Sequence, residues 1–306
     1  MSELNLKVPT TKLPNGAQMP VIGYGLGTAA SSNKKAGSFF SSVDKGLVEI
    51  IGKAIAMGYY HLDGAEMYST DVDLGAAVKA SKLPREKFFI TAKLDPSTPS
   101  IDNVSSTLDK ALKDMSVDYV DLFLIHEPFF AKDNEKLLQK KWSEMEALQK
   151  SGKTKAIGVS NFLQPHIETI LKTAEIPPAV NQVEFHPYLQ REGLVDFCKS
   201  KNIQVTAYGP LTPATRAKGK SEDFDKYLDI LAKKYYVSPG EILLRWCIDQ
   251  DVIPITTTSK EIRMSDYLRA LTFKLTLREL DEIAEQGKKV HYRAFWRAKF
   301  AEDDKR

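Results

Sequence analysis

Residues 88–126, FFITAKLDPSTPSIDNVSSTLDKALKDMSVDYVDLFLIH, decide the architecture. Phe88–Lys93 and Tyr119–His126 are short, continuous apolar runs of the kind that form parallel strands covered on both faces. Between them Val104, Leu108, Ala111, Leu112 and Met115 recur at helical spacing behind Asp102, the expected cap. The segment therefore reads as strand–helix–strand, and both strands finish on a chemically useful side chain, Lys93 and His126. Working outward, the same unit repeats. Further strands are expected at Val21–Gly25, Tyr59–Asp63, Lys155–Asn161, Ala179–Phe185, Ile203–Tyr208 and Val252–Thr256. Helical spacing returns in Leu47, Ile50, Ile51, Ala54 and Ile55, and again in Leu138, Trp142, Met145 and Leu148 before a C-terminal Gly152. Ser238–Glu241 and Thr276–Glu279 are capping boxes, and Pro14-Asn15-Gly16 marks a hairpin turn ahead of the first parallel strand.

Eight strands alternating with helices, without a composition break, predict one α/β domain over residues 1–306. The expected fold is a (β/α)₈ TIM barrel with an N-terminal β-hairpin. A doubly wound sheet is the competing architecture. Two stretches fall outside the repeat: a Ser/Lys loop at Ala29–Phe40, and the tail KKVHYRAFWRAKFAEDDKR after Gly287. The tail's Tyr292, Phe295 and Trp296 either fold over the barrel mouth or pack on outer helices.

Composition narrows the function classes. The 306 residues are 42% apolar and 27% charged, an ordinary globular balance. Forty-three basic against 40 acidic residues give a net charge of +3, too near neutrality to argue for a nucleic-acid or membrane-surface partner. Cys198 and Cys247 form no C-x-x-C, so neither a disulfide framework nor a thiolate metal site is expected. No signal-peptide core or membrane-length apolar run is present, and a cytoplasmic protein is expected.

Five of the eight expected strands end on a polar side chain, Asp63, Lys93, His126, Asn161 and Tyr208, and Gln182 lies within a sixth. In a barrel these strand ends share one mouth, where chemistry is carried out. A tyrosine is a poor acid at neutral pH, but a nearby ammonium stabilises its phenolate. Tyr68 beside Lys93 would thereby become a proton donor. Asp63 would hold Lys93 charged, and His126 would steer a carbonyl oxygen toward the phenol.

Gly23–Thr28 (GYGLGT), Leu62–Tyr68 (LDGAEMY), Lys93, Ile125-His126 and Gly158–Phe162 (GVSNF) resemble the aldo-keto reductase family, in the family's order. Asn181–Pro187 (NQVEFHP) and Ala207–Leu211 (AYGPL) continue the likeness, which runs from about Lys12 to Phe273. The chain looks most like the fungal carbonyl reductases of conjugated polyketones and α-keto amides. The resemblance implies Tyr68 as general acid, Lys93 and Asp63 as its tuning pair, and His126 as the substrate-orienting group. It implies a nicotinamide held by Ser160, Asn161 and Gln182 and stacked on Tyr208. Gly27 and Thr28 would approach it through backbone, and its diphosphate would pass near Gly209, Pro210 and Leu211. NADPH is the expected cofactor, with Thr258, Ser259, Lys260 and Arg263 around the 2′-phosphate.

Departures from the family pattern fall at the substrate mouth. Ala29 and Glu127 stand where tryptophans are common, and Leu94-Asp95 replaces an aromatic after Lys93. A mouth lined by Ala29, Asp95 and Glu127, with Tyr292, Phe295 and Trp296 from the tail, would have lost apolar walls and gained carboxylates, which argues against a narrow aromatic-aldehyde pocket. The likeness to the fungal branch implies α-dicarbonyl, conjugated polyketone or α-keto substrates. The expected partner is a small carbonyl substrate; the expected assembly is a monomer or weak homodimer.

Other motifs carry less. Gly25–Ala30 matches a dinucleotide fingerprint in form but opens no helix. His126-Glu127 lacks the second histidine of a zinc helix, and no metal is expected. His61 and His186 read as structural histidines. Two other functions compete: a cofactor-sensing regulatory subunit of the same fold without turnover, and a barrel lyase or isomerase that needs no nicotinamide.

Overall fold

A computed structural model describes residues 7–27, 43–96, 99–132 and 134–306. Thr28 and Ala29, like the rest of the Ala29–Phe40 loop, lie outside the described residues. Strands β1 (Thr10–Lys12) and β2 (Gln18–Pro20) pair antiparallel across a turn in which the Gly16 N–H donates to the Leu13 carbonyl at 2.8 Å. Then come β3 (Gly23–Gly25), β4 (His61–Asp63), β5 (Phe89–Leu94) and β6 (Val120–Ile125). They are followed by β7 (Thr154–Ser160), β8 (Val180–Glu184), β9 (Gln204–Tyr208) and β10 (Ile253–Thr256). These eight strands are parallel and close in the order β10-β3-β4-β5-β6-β7-β8-β9, a (β/α)₈ barrel. Each lies within two residues of the run read from the sequence.

The strands carry a period of two that their near-continuous apolarity hides. Ile90, Ala92 and Leu94 of β5 belong to the outer core that the helices cover, while Phe89 belongs to the inner core. Thr91 and Lys93 share the inward face with Phe89. By the same alternation β6 sends Leu122, Leu124 and then His126 inward, and β8 sends Val180, Gln182 and Glu184. Apolar residues thus fill the lower barrel, where Leu13 and Met19 of the hairpin join Phe89, Leu122, Leu124 and Ile253 as a plug. Polar residues occupy the upper layer, at the C-terminal strand ends.

Outside the barrel run α1 (Lys45–Ala56), α2 (Asp71–Ser81), α3 (Val104–Met115), α4 (Glu135–Lys150) and α5 (Gln164–Leu171). They continue with α6 (Leu194–Ser200), α7 (Glu222–Tyr235), α8 (Pro239–Ile248), α9 (Glu261–Arg269) and α10 (Leu277–Lys288). Both capping boxes form, on α8 through Ser238 and Glu241 and on α10 through Thr276 and Glu279. The cap of α3 is corrected by one residue. Asn103, not Asp102, accepts the Ser106 N–H at 3.1 Å, because Pro99–Asn103 winds as a 3₁₀ turn that carries the chain one residue further.

His61 is fully buried, with Nε2 3.2 Å from Thr91 Oγ1 and its ring edge-on to Phe89. Burial pushes its pKa down to about 4. An unfolded chain takes this proton near its ordinary value, so stability falls as pH drops through the window between the two. The total is about 3 kcal/mol. His61→Gln should flatten the pH dependence of the urea midpoint across that window. An unchanged slope would show that His61 titrates normally.

Candidate active site

The upper barrel layer converges as the alternation requires. Lys93 Nζ donates to Asp63 Oδ1 at 2.5 Å and to the Gly64 carbonyl at 2.8 Å, with both side chains almost fully buried. Gln182 Nε2 occupies the other Asp63 oxygen at 2.8 Å. Tyr68 sits on the short helical turn Glu66–Tyr68 after β4. Its Oη is 3.5 Å from His126 Nε2, and Lys93 Nζ lies 5.0 Å from its ring centre. A side chain at Gly27 would bring Cβ within 2.8 Å of Tyr68 Cζ, so glycine there is a steric condition for the phenol's place.

Electrostatics follow from burial and charge. Burial drives the His126 imidazole well below its ordinary pKa, and Lys93 pushes the same way, so the ring is neutral. Lys93 is held above its ordinary value: burial opposes its charge, but Asp63 outweighs that. For Tyr68 burial raises the pKa, and Lys93 pulls against it without prevailing. The expected net depression of the phenol is therefore corrected. The group keeps its proton through neutral pH, with a cation beside it that would stabilise the phenolate once the proton left.

These side chains face a cavity of about 510 Å³. Its walls include Asp63, Tyr68, His126, Gln182, Tyr208, Gly209, Pro210, Leu211 and Arg263. Phe295 and Trp296 line it as well, so the tail does fold over the mouth. Tyr292 does not; it packs on the outer core. Trp296 stands 6.0 Å from the His126 ring and 6.2 Å from Phe129, and Phe295 meets Tyr208 edge-on at 5.3 Å.

Several expected residues lie elsewhere. Asp95 and Glu127 are buried and do not line the cavity. The Glu127 carboxylate turns back to accept the Phe129 N–H, which removes it from the mouth. Ser160 and Asn161 sit just behind the wall. Ser160 Oγ donates to the Gln182 carbonyl at 2.9 Å, Asn161 Nδ2 to the His126 carbonyl at 2.9 Å, and Tyr208 Oη to Asn161 Oδ1 at 2.6 Å. Ser259 and Lys260 are exposed outside the cavity, and Thr258 is buried, its carbonyl accepting from Tyr24 Oη at 2.8 Å.

The sequence reading missed Met67, Thr212, Thr215, Arg216, Thr256, Thr257 and Tyr267, all of which line the cavity. Arg216 was legible only as one of three basic residues in its loop, with Lys218 and Lys220. A nicotinamide dinucleotide suits this cleft. Arg216 and Arg263 supply cations for phosphates, and Thr212 and Thr256 present buried hydroxyls with no other hydrogen-bond partner among the described residues. No group of three or more potential metal ligands occurs among the described residues, and no described helix is long and apolar enough to cross a membrane.

Comparisons with known proteins place the chain in a family. The family model described as "Aldo/keto reductase family" matches residues 22–288. The chain is 39% identical over 283 residues to the NAD/NADP-dependent indole-3-acetaldehyde reductase of Schizosaccharomyces pombe, covering 92% of this chain and 96% of that one. It is 42% identical over 282 residues to the NADPH-dependent alpha-keto amide reductase of Saccharomyces cerevisiae, covering 90% and 89%. Among solved structures, a Bombyx mori aldo-keto reductase in complex with NADP superposes with a TM-score of 0.81 at 30% identity, covering 92% of this chain and 93% of that one.

Proposed function

The chain belongs to the aldo/keto reductase family and is a nicotinamide-dependent carbonyl reductase; from that premise we propose that it uses NADPH and that Tyr68 is its general acid. Its substrates are α-dicarbonyls, conjugated polyketones and α-keto esters or amides, which it reduces to alcohols. The observation that carries this reading is the neutral Tyr68 phenol on the cavity wall, between neutral His126 and the buried Lys93–Asp63 pair.

When bound, the reduced nicotinamide supplies the hydride. The protein's part is to hold the carbonyl and give the proton. His126 Nε2 and Tyr68 Oη converge on one point of the cavity, where they orient a carbonyl oxygen. As negative charge grows on that oxygen, the Tyr68 proton moves to it, and the Lys93 ammonium stabilises the phenolate left behind. Asp63, held in turn by Gln182, keeps that ammonium charged and in place. Phe295 and Trp296 form apolar walls beside the reacting carbon and exclude water. Tyr208 and Gln182, both on the cavity wall, would hold the nicotinamide ring and its carboxamide, with Ser160 and Asn161 bonded behind them to the Gln182 carbonyl and to Tyr208 Oη.

The reading is tested by following loss of reduced nicotinamide with vicinal dicarbonyls, α-keto esters and amides, aromatic aldehydes and sugars, each with NADPH and with NADH. Turnover favouring the first two groups is expected. Tight NADPH binding without turnover across the panel would point to a cofactor sensor and end the proposal. The choice of NADPH rests on Arg263, the cavity-lining cation at the start of α9. Arg263→Ala should weaken NADPH about tenfold or more, the loss of one charge-assisted contact, and leave NADH nearly unchanged. Equal weakening of both cofactors in a fluorescence titration would remove Arg263 from the 2′-phosphate.

A further inference from the structure

Glu184 ends β8 on the inward face yet does not line the cavity, and it is completely buried. Its carboxylate is bound by the tail. Oε1 accepts the Ala294 N–H at 2.7 Å and Oε2 the Phe295 N–H at 3.1 Å, while neutral His186 donates from Nε2 to Oε1 at 3.0 Å. Two successive backbone amides of an otherwise irregular segment are thus tied to a rigid strand end. The next residue is Trp296, in a left-handed conformation at φ +56°.

The consequence lies at the mouth. Fixing residues 294 and 295 aims Trp296 across His126 and Phe129, and sets Phe295 against Tyr208, the direct register partner of Glu184. Further along, the tail is fastened a second time. Arg293 Nη2 donates to the main-chain oxygens of Asp304 and Arg306 at 2.8 and 2.7 Å, and buried Arg191 donates to the main-chain oxygen of Arg306 at 2.5 Å. That second fastening holds the outer tail, whereas Glu184 takes the two successive backbone amides of the turn that carries the two cavity aromatics.

We propose that Glu184 is a positioning residue that sets substrate discrimination by pinning this turn, so that Trp296 replaces the apolar wall that Glu127 does not provide. The proposal rests on the reductase reading for its kinetic arm only. It does not rest on any contact between Glu184 and substrate.

The test compares the parent, Glu184→Gln, Trp296→Ala and the double variant. Glu184→Gln keeps shape but replaces one acceptor oxygen with a donor facing the tail amides. Each is assayed with a small vicinal dicarbonyl and a bulky aromatic α-keto ester. Glu184→Gln should shift the ratio of kcat/KM values toward the bulky substrate by about tenfold, with NADPH affinity within about twofold of the parent. In the Trp296→Ala background the same change should move the ratio by less than about twofold, since the side chain it positions is gone. Acrylamide quenching supplies a readout free of turnover. Trp142 and Trp246 are buried, so added quenching in Glu184→Gln reports Trp296.

Ala294→Pro deletes the shorter of the two tail donors without touching Glu184 and decides the matter if Glu184→Gln does not fold. Equal loss for both substrates, or unchanged quenching in a folded variant, would overturn the proposal. Absence of turnover in the parent would instead overturn the reductase reading and leave the quenching comparison to judge the tail.

Discussion

Tyr68→Phe should lower kcat for carbonyl reduction about 10²–10⁴-fold while leaving NADPH affinity near that of the parent. The substitution removes one oxygen and keeps the ring, so the packing against Gly27 and the edge contact with His126 persist. What disappears is the proton that must reach the carbonyl oxygen. His126 cannot replace it, because burial and the Lys93 charge keep its ring neutral and a poor acid. The parent's pH profile follows from the same groups. Burial holds the phenol above its ordinary pKa, so the reduction rate should be level through neutrality and fall as pH rises through that raised value. Steady-state assays of both proteins with one dicarbonyl, beside a cofactor titration by fluorescence, decide the point. Appreciable activity in the variant would strip Tyr68 of its role.

Asp63→Asn should be the most destabilising single change in the site, by about 3–5 kcal/mol. The amide fits the same space, but Lys93 is then left charged and almost fully buried, with only the Gly64 carbonyl and neutral dipoles around it. The sign with pH follows from Lys93. Its folded pKa lies above the ordinary value, so the pairing contributes fully below the ordinary value and is lost only as pH rises through the raised one. In the variant the unpaired, buried ammonium gives up its proton more easily, so the gap in urea midpoint between parent and variant should be largest near neutral pH and narrow as pH rises. A gap near zero at neutral pH would mean that the Lys93–Asp63 pair contributes nothing to stability. Reduction should fail in this variant too, since a displaced ammonium no longer stabilises the Tyr68 phenolate.

Much of this was legible in one dimension. Parallel strands covered on both faces leave short apolar runs, and eight of them stood clear of the helical spacing between. Their terminal residues named Asp63, Lys93, His126 and Tyr208, because a barrel gathers its strand ends whatever their separation along the chain. The acidic mouth expected from Asp95 and Glu127 was not legible. Where a loop carboxylate points depends on which backbone amide lies within reach, and Phe129 supplies one to Glu127. Nor was the sign of the Tyr68 shift. Proximity to Lys93 is a matter of spacing and fold, but the opposing burial depends on everything packed around the ring.

The sequence by itself determined the barrel, the strand ends and the candidate proton-handling group, because period, capping and strand-end chemistry are local properties. Tertiary structure alone decided that Phe295 and Trp296 belong to the mouth and Tyr292 does not. It also decided that Arg216 reaches the cleft and that Glu184 serves the tail. Those outcomes turn on pairings between segments about a hundred residues apart, where a buried carboxylate takes whichever amide donors the packing brings to it, and no local pattern encodes that choice.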